Sequence, residues 1–271
     1  MKKYILLFSL LGLQFANAQG PWTKEKGKAY VQLGVSGLFY NQAQIDGNKV
    51  AIDGDYSDVT TQLYSEYGIT NNLEALLVIP MKFASYTGTT SNTTQNLSGL
   101  GNITLGLKYK LYDKDWKIST GLQFQANTSK FDSSTGLSTD FDASSFIPYV
   151  SAGSSAGKWY YFANVGYGYM TNDYSDYFKM GAEVGYQIIP KGHLIFALDT
   201  KNPVAKESAF ANNNNRWPSY LDRQTYNAVG LKFNYEFIQN KYGANFSTFG
   251  AFGNNNAPLA PSINLAVYAK L

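Results

Sequence analysis

The chain has 271 residues, a formal net charge of +3, one histidine and no cysteine. Disulfides and thiolate metal sites are therefore excluded, and so small a charge gives no electrostatic case for nucleic acid as a partner. Mean hydropathy is slightly negative, and no stretch after the first residues approaches the ~20 apolar residues of a membrane helix, which excludes a helical membrane protein.

Residues 1–18 carry the three parts of a secretory signal peptide. Lys2 and Lys3 give the positive start, Tyr4 to Leu13 the apolar stretch, and Ala16-Asn17-Ala18 the small residues that a signal peptidase reads. The apolar run is too short to span a bilayer. Cleavage after Ala18 leaves Gln19 as the new N-terminus, and losing Lys2 and Lys3 lowers the formal charge from +3 to +1. Residues 19–27 follow, with Pro21 and Trp22, as a periplasmic or lumen-plugging segment ahead of the first strand.

From residue 28 to 271 one phrase recurs about a dozen times: roughly ten residues of alternating apolar and polar character, closed by a turn. In the first, Ala29, Val31, Leu33, Val35 and Phe39 share one face, and Lys28, Gln32, Gly34, Ser36 and Tyr40 the other. Strand side chains alternate between faces, so each phrase is a strand with one apolar side. Strands are expected near 28–40, 58–69, 73–84, 101–111, 116–127, 146–153, 159–170, 178–189, 194–201, 225–237, 242–252 and 262–271. Pro148 removes a ladder hydrogen bond and makes 146–153 the weakest of them.

The connections alternate between long (41–57, 85–100, 128–145, 202–224) and short (70–72, 112–115, 154–158, 190–193, 238–241), with 171–177 and 253–261 in between. Short periplasmic turns and longer extracellular loops, behind an export signal, predict an antiparallel transmembrane β-barrel of about 12 strands in the outer membrane of a Gram-negative cell. A soluble β-sandwich would also alternate, but the signal peptide, the 16% aromatic content and the long/short rhythm favour the barrel. The outward faces agree: Ile103, Leu105, Leu107, Tyr109 and Leu111 in one strand, Val229, Leu231, Phe233, Tyr235 and Phe237 in another. Both avoid the cost of about 2–4 kcal/mol for a lysine facing mid-bilayer lipid. Trp116 and Trp159 follow short turns and belong in the inner aromatic girdle.

Two stretches carry a family resemblance. One is Tyr67-Gly68-Ile69-Thr70-Asn71-Asn72-Leu73-Glu74, followed by Ile79-Pro80. The other runs from Ser98 through Gly101-Asn102-Ile103-Thr104-Leu105-Gly106 to Leu111. Over residues 60–112 the chain resembles the outer-membrane family named for the meta-pathway of phenol degradation, with Asn102 where that family usually has Asp. The resemblance implies a barrel and transport. The chain ends in Leu271, where barrels usually finish with Phe or Trp as a signal to the barrel assembly machinery; Tyr268 and Leu271 are the candidates here.

Little in the chain suggests catalysis, and no enzyme is expected. His193, the only histidine, falls in the turn 190–193 at the periplasmic mouth, away from the outer rim where a lipid hydrolase would need it. Asp46, Asp53, Asp55 and Asp58 cluster in the first long connection but lack the closing Glu of a calcium loop, and no cofactor or metal is expected. The tracts Asn212–Asn215 and Asn254–Asn256 read as outer spacers. Eight charged residues are predicted to face the lumen: Glu66, Glu74, Lys108, Lys110, Lys117, Glu183, Lys232 and Glu236. Both signs are present, so ion selectivity should be weak. The leading expectation is a passive channel or uptake barrel for a small, hydrophobic or aromatic solute, with outer-membrane lipids and the assembly machinery as its other partners. The alternative is a closed barrel that anchors surface loops for adhesion or structural contact.

Overall fold

The alternation becomes a closed wall in a computed structural model that describes residues 20–45, 47–90, 92–205 and 223–271. The strands are β1 (Ala29–Ile45), β2 (Asn48–Gly68), β3 (Leu73–Thr87), β4 (Thr94–Leu100), β5 (Ile103–Asp113), β6 (Trp116–Ala126) and β7 (Ser145–Ala156). They continue with β8 (Trp159–Met170), β9 (Tyr177–Ile189), β10 (Gly192–Pro203), β11 (Thr225–Ile238), β12 (Tyr242–Asn255), β13 (Ala257–Pro258) and β14 (Ser262–Lys270). Each pairs antiparallel with its neighbour, and β14 closes on β1 from Tyr30↔Lys270 to Leu38↔Ser262. Among the described residues the fold is a closed antiparallel barrel of 12 wall strands, because β4 continues β5 and β13 continues β14. Every strand expected from the sequence is present.

Leu33, Phe39, Leu105, Leu107, Leu111, Leu231, Phe237 and Leu265 all lie exposed on the outer wall, as a lipid-facing band requires. At the end of the short turns, Trp116 packs edge-on against Tyr161 at 5.7 Å and Trp159 lies tilted against Tyr186 at 4.5 Å, forming part of the inner girdle. At the C-terminus Leu271 exchanges backbone hydrogen bonds with Ala29 and is exposed, whereas Tyr268 is buried on the lumen side.

The structure departs from the sequence reading mainly on the loop side. The connection 41–57 is a continuous hairpin: β1 and β2 run on to the pair Ile45↔Asn48, past a bulge at Asn41. Asp53 and Asp55 therefore sit on β2 together with Asp58, which the expected strand 58–69 already held; Asp55 accepts from Asn41 and Asp58 is paired with Lys82, while Asp46 lies outside the described residues. The 21 residues of β2 would extend roughly 70 Å at ~3.3 Å each, well beyond what an apolar band ~25 Å tall needs. Lipid-like alternation thus marks the membrane band and stops where the band stops, although the ladder continues. Likewise β4 occupies part of the connection 85–100, and Asn254 and Asn255 belong to β12. The signal-peptide residues and Asn212–Asn215 lie outside the described residues.

Two prolines mark breaks in the wall. β3 pairs with β5 up to Val78 and with β4 from Met81, and the change of partner falls at Pro80, whose carbonyl accepts from the Gly101 amide. Pro148 keeps its place opposite Leu122 of β6, but toward β8 the pairing skips from Phe146↔Tyr169 to Tyr149↔Gly166.

Candidate functional site

What the barrel encloses is set by the inward side chains and by two segments that fold into it. The first is the stretch before β1. Pro21 is fully buried, and Trp22 stands edge-on to Tyr160 at 6.1 Å and Phe162 at 5.9 Å on the inner face of β8. The Lys24 ammonium lies 2.6 Å from Glu66 Oε2, and its backbone amide donates to Glu74 Oε2 at 2.7 Å. Lys108 completes the group: its Nζ is 2.8 Å from Glu74 Oε1, 3.8 Å from Glu66 Oε1 and 3.3 Å from the carbonyl of Gly20. Two acids and two bases form one buried, balanced quartet, with Tyr64 donating to Glu66 at 2.6 Å. Burial alone would lower the Lys24 pKa, but the attraction and hydrogen bond of Glu66, with Glu74 behind it, hold it above its usual value. The segment can run this close to the wall because residue 68 is glycine; a Cβ there would fall 2.0 Å from the Glu25 carbonyl oxygen.

Beside this segment lies a cavity of about 480 Å³, lined by Trp22, Tyr160 and Phe162 on one side and by Gln32, Asn245 and Asn264 on the other. Its aromatic wall is held by Tyr160, which covers Gly185 of β9 (a Cβ there would lie 2.1 Å from the ring) and donates to Glu183 at 3.2 Å. Its opposite wall is a neutral amide row: Asn245 donates to Gln32 at 3.1 Å and Asn264 to Ser247 at 3.2 Å.

The eight charged candidates divide by height. Glu66, Lys108, Glu183, Lys232 and Glu236 line the cavity; Glu74 is buried behind Lys108. Lys110 and Lys117 do not join them, but both pair with Asp113, at 2.7 and 2.5 Å, by the turn between β5 and β6. Within the cavity Lys232 pairs with Glu183, and near its mouth Lys270 pairs with Glu236. His193 is the second residue of β10 rather than part of the turn, and it lines the cavity 6.2 Å from the Tyr160 ring. Among the described residues no group of three or more His, Cys, Asp or Glu could hold a metal ion.

The second inward segment is the connection between β6 and β7, residues 127–144. Leu137 and Thr139 are completely buried. Asn102, at the break between β4 and β5, anchors the segment. Its side-chain amide donates to the carbonyls of Phe141 and Ala143 at 2.8 and 3.1 Å, and its Oδ1 accepts from the amides of Thr128 and Ser129. Its own backbone amide donates to Asp140 Oδ2 at 2.9 Å. The sequence reading singled out Asn102 only as a departure from the resembled family and gave no role to Lys24, Leu137 or Asp140. The one legible signal was Leu137 itself, a lone large aliphatic residue between Ser133 and Asp140.

This geometry agrees with the comparisons. The family model described as "Putative MetA-pathway of phenol degradation" matches residues 26–250. The chain belongs to this family. Among solved structures, the COG4313 outer membrane channel from Pseudomonas putida F1 is similar with a TM-score of 0.70 and 15% identity, over 92% of this chain and 97% of the other. The NanC porin follows with 0.52 and 14%, over 88% and 100%. The translocator domain of the autotransporter NalP from Neisseria meningitidis gives 0.53 and 11%, over 92% and 90%. None of the curated proteins matches the chain in sequence. At these identities the likeness is one of fold, and the fold is that of outer-membrane barrels.

Proposed function

We propose that the protein is a passive outer-membrane channel for small uncharged solutes with an aromatic or other apolar face. The observation that carries this reading is the cavity of about 480 Å³, whose charged lining residues Glu66, Lys108, Lys24, Glu183, Lys232, Glu236 and Lys270 are tied to one another. Charges that neutralise each other leave a weak field along the path, so ions gain little there. A ring could stack on Tyr160 and Phe162 while hydroxyl or amide groups met the Gln32, Asn245 and Asn264 wall. Such one-sided polarity is how pockets fix orientation without charge.

Family membership and likeness to an outer membrane channel and a porin also support transport. The stretch Gly20 to Lys26 acts as a plug that narrows the periplasmic half of the path. Swelling of liposomes that carry the refolded protein tests the reading: small neutral glycosides should enter faster than into empty liposomes. If neither the whole protein nor variants with loosened lumen segments admit them, a closed barrel that anchors surface loops is the better reading.

A further inference from the structure

The segment 127–144 leaves the wall at β6 and returns at β7, yet it reaches across the lumen. Leu137 is packed among Leu38 and Tyr40 of β1, Tyr56 of β2, Ala84 of β3 and Ala260. Leu38, Tyr40 and Ala84 have the opposite parity to the lipid-exposed Phe39 and Phe83, so they point inward. Four residues further on, the Phe141 ring lies 3.7 Å beneath the ammonium of Lys201 on β10. Lys201 shares the inward parity of Ile195 and Ala197, and in strand order β10 stands nearly opposite β2. A single loop thus touches the inner wall on both sides of the barrel, and it does so on the loop side, away from the Trp22 segment.

Its fastenings are of three kinds. Leu137 fills an apolar socket. Asn102 holds four backbone groups of the loop through its side chain. Thr139, fully buried, donates from Oγ1 to the Leu100 carbonyl at 2.6 Å, which ties the loop to the end of β4. A loop that only decorated the outer surface would not bury an aliphatic side chain completely inside the lumen.

We infer that residues 127–144 are an outer stopper, closed by insertion of Leu137 into the Leu38–Tyr40–Tyr56–Ala84 socket, and that it acts in series with the Gly20–Lys26 segment. The inference rests on the channel reading above. Two closures in series have a specific consequence: opening one leaves the path blocked by the other. Solute passes only when Leu137 has left its socket and the N-terminal segment has also yielded.

The experiment measures planar-bilayer conductance of four proteins: the whole chain, a deletion of Gly20 to Lys26, Leu137→Ser, and the two changes combined. Retained heat-modifiable mobility on a gel shows that each barrel has folded. Losing a buried leucine from the socket should raise the open-to-closed ratio of the stopper on the order of 10- to 100-fold. Each single change is expected to conduct little more than the whole chain, and the combination far more than both singles together. Should Leu137→Ser fail to refold, Asn102→Ala frees the same loop and carries the same expectation. If the deletion alone conducts as well as the combination, the loop is no stopper and the inference falls while the channel reading stands. If even the folded combination is silent, both fall.

Discussion

The carbonyl oxygen of Glu25 occupies the space that a side chain at Gly68 would need, since a Cβ there would lie 2.0 Å away. Gly68 also accepts the Gly27 amide at 2.8 Å and donates to the Lys28 carbonyl at 2.9 Å. One missing methyl group thus lets the chain turn from the lumen into the wall. Gly68→Ala should displace the N-terminal segment while leaving the barrel ladder intact. The readout is trypsin cleavage after Lys24 and Lys26, followed by mass spectrometry. Faster cleavage in the variant is expected; an unchanged rate would mean that the segment is held by other contacts.

Lys24 sharpens the same point through pH. Its pKa is raised above the usual 10.5 because the two glutamates outweigh burial. A base with a raised pKa in the folded state contributes stability that is complete below the unfolded value and is lost as pH rises through the folded one. Trypsin resistance after Lys26 should therefore be flat from neutral pH up to about 10 and should not weaken on the way. Progressive release between pH 7 and 9 would show that Lys24 is not what holds the segment.

Lys108 is bonded to two carboxylates and a carbonyl in a buried setting. Lys108→Met should cost about 3–5 kcal/mol of barrel stability, because it strands buried acid without its partner. Adding Glu74→Gln should recover much of that loss. A urea-unfolding cycle on the four proteins checks it, and a single-variant cost below 1 kcal/mol would show the quartet to be wet and weakly coupled.

Asn102 stands where the resembled family usually has Asp, and its amide makes two donations that a carboxylate cannot. Asn102→Asp would also bring a second acid against Asp140, which accepts from the Asn102 backbone amide at 2.9 Å. The Phe141 carbonyl keeps the Ala143 amide and the Ser129 hydroxyl as donors, but the Ala143 carbonyl loses its donor, at a cost of about 1–3 kcal/mol. The variant should loosen residues 127–144 and speed proteolysis after the exposed Lys130. Unchanged protection would show that Leu137 alone holds the loop.

Asp140 makes this loop sensitive to acid. Burial raises its pKa, only partly opposed by Lys82 of β3, by the amides of Asn102 and Phe141, and by Lys201 of β10. A raised carboxyl pKa means that ionisation costs docking energy above the folded value, and that the cost vanishes as pH falls through it. Lowering pH from 7 towards the usual 3.8 should therefore tighten the loop and slow cleavage after Lys130 by an acid-tolerant protease. An equal slowing in Asp140→Asn would assign the effect to another group.

The wall was legible in the sequence because the lipid imposes a period of two on every strand, and all twelve are where the alternation puts them. Legibility ended where that constraint ends. Above the membrane, β2 runs through Asn48-Lys49-Val50-Ala51-Ile52-Asp53-Gly54-Asp55 with no apolar alternation to announce it, and Asp53 and Asp55 lie on a strand instead of in a loop. Inside the barrel, inward charges could be named from parity, but their partners could not: Lys24 meets Glu66 across 42 positions of sequence, a contact set by barrel closure and not by any local pattern. Asn102 and Leu137 were readable only as a departure from the family's Asp and a stray leucine, because their roles arise from a loop that crosses the lumen.

The channel itself is tested most directly by matched solutes of different charge. Phenyl glucoside and phenyl glucuronide share a ring and nearly the same bulk, and neither crosses a bare bilayer readily. With the Gly20–Lys26 deletion and Leu137→Ser combined, Lys24 is gone and Glu66 and Glu74 share Lys108 alone, so the neutral glucoside should enter protein-bearing liposomes several times faster than the anionic glucuronide past the aromatic and amide walls. Equal entry of both would make the lumen a plain water-filled pore, and entry of neither through a folded barrel would contradict transport altogether.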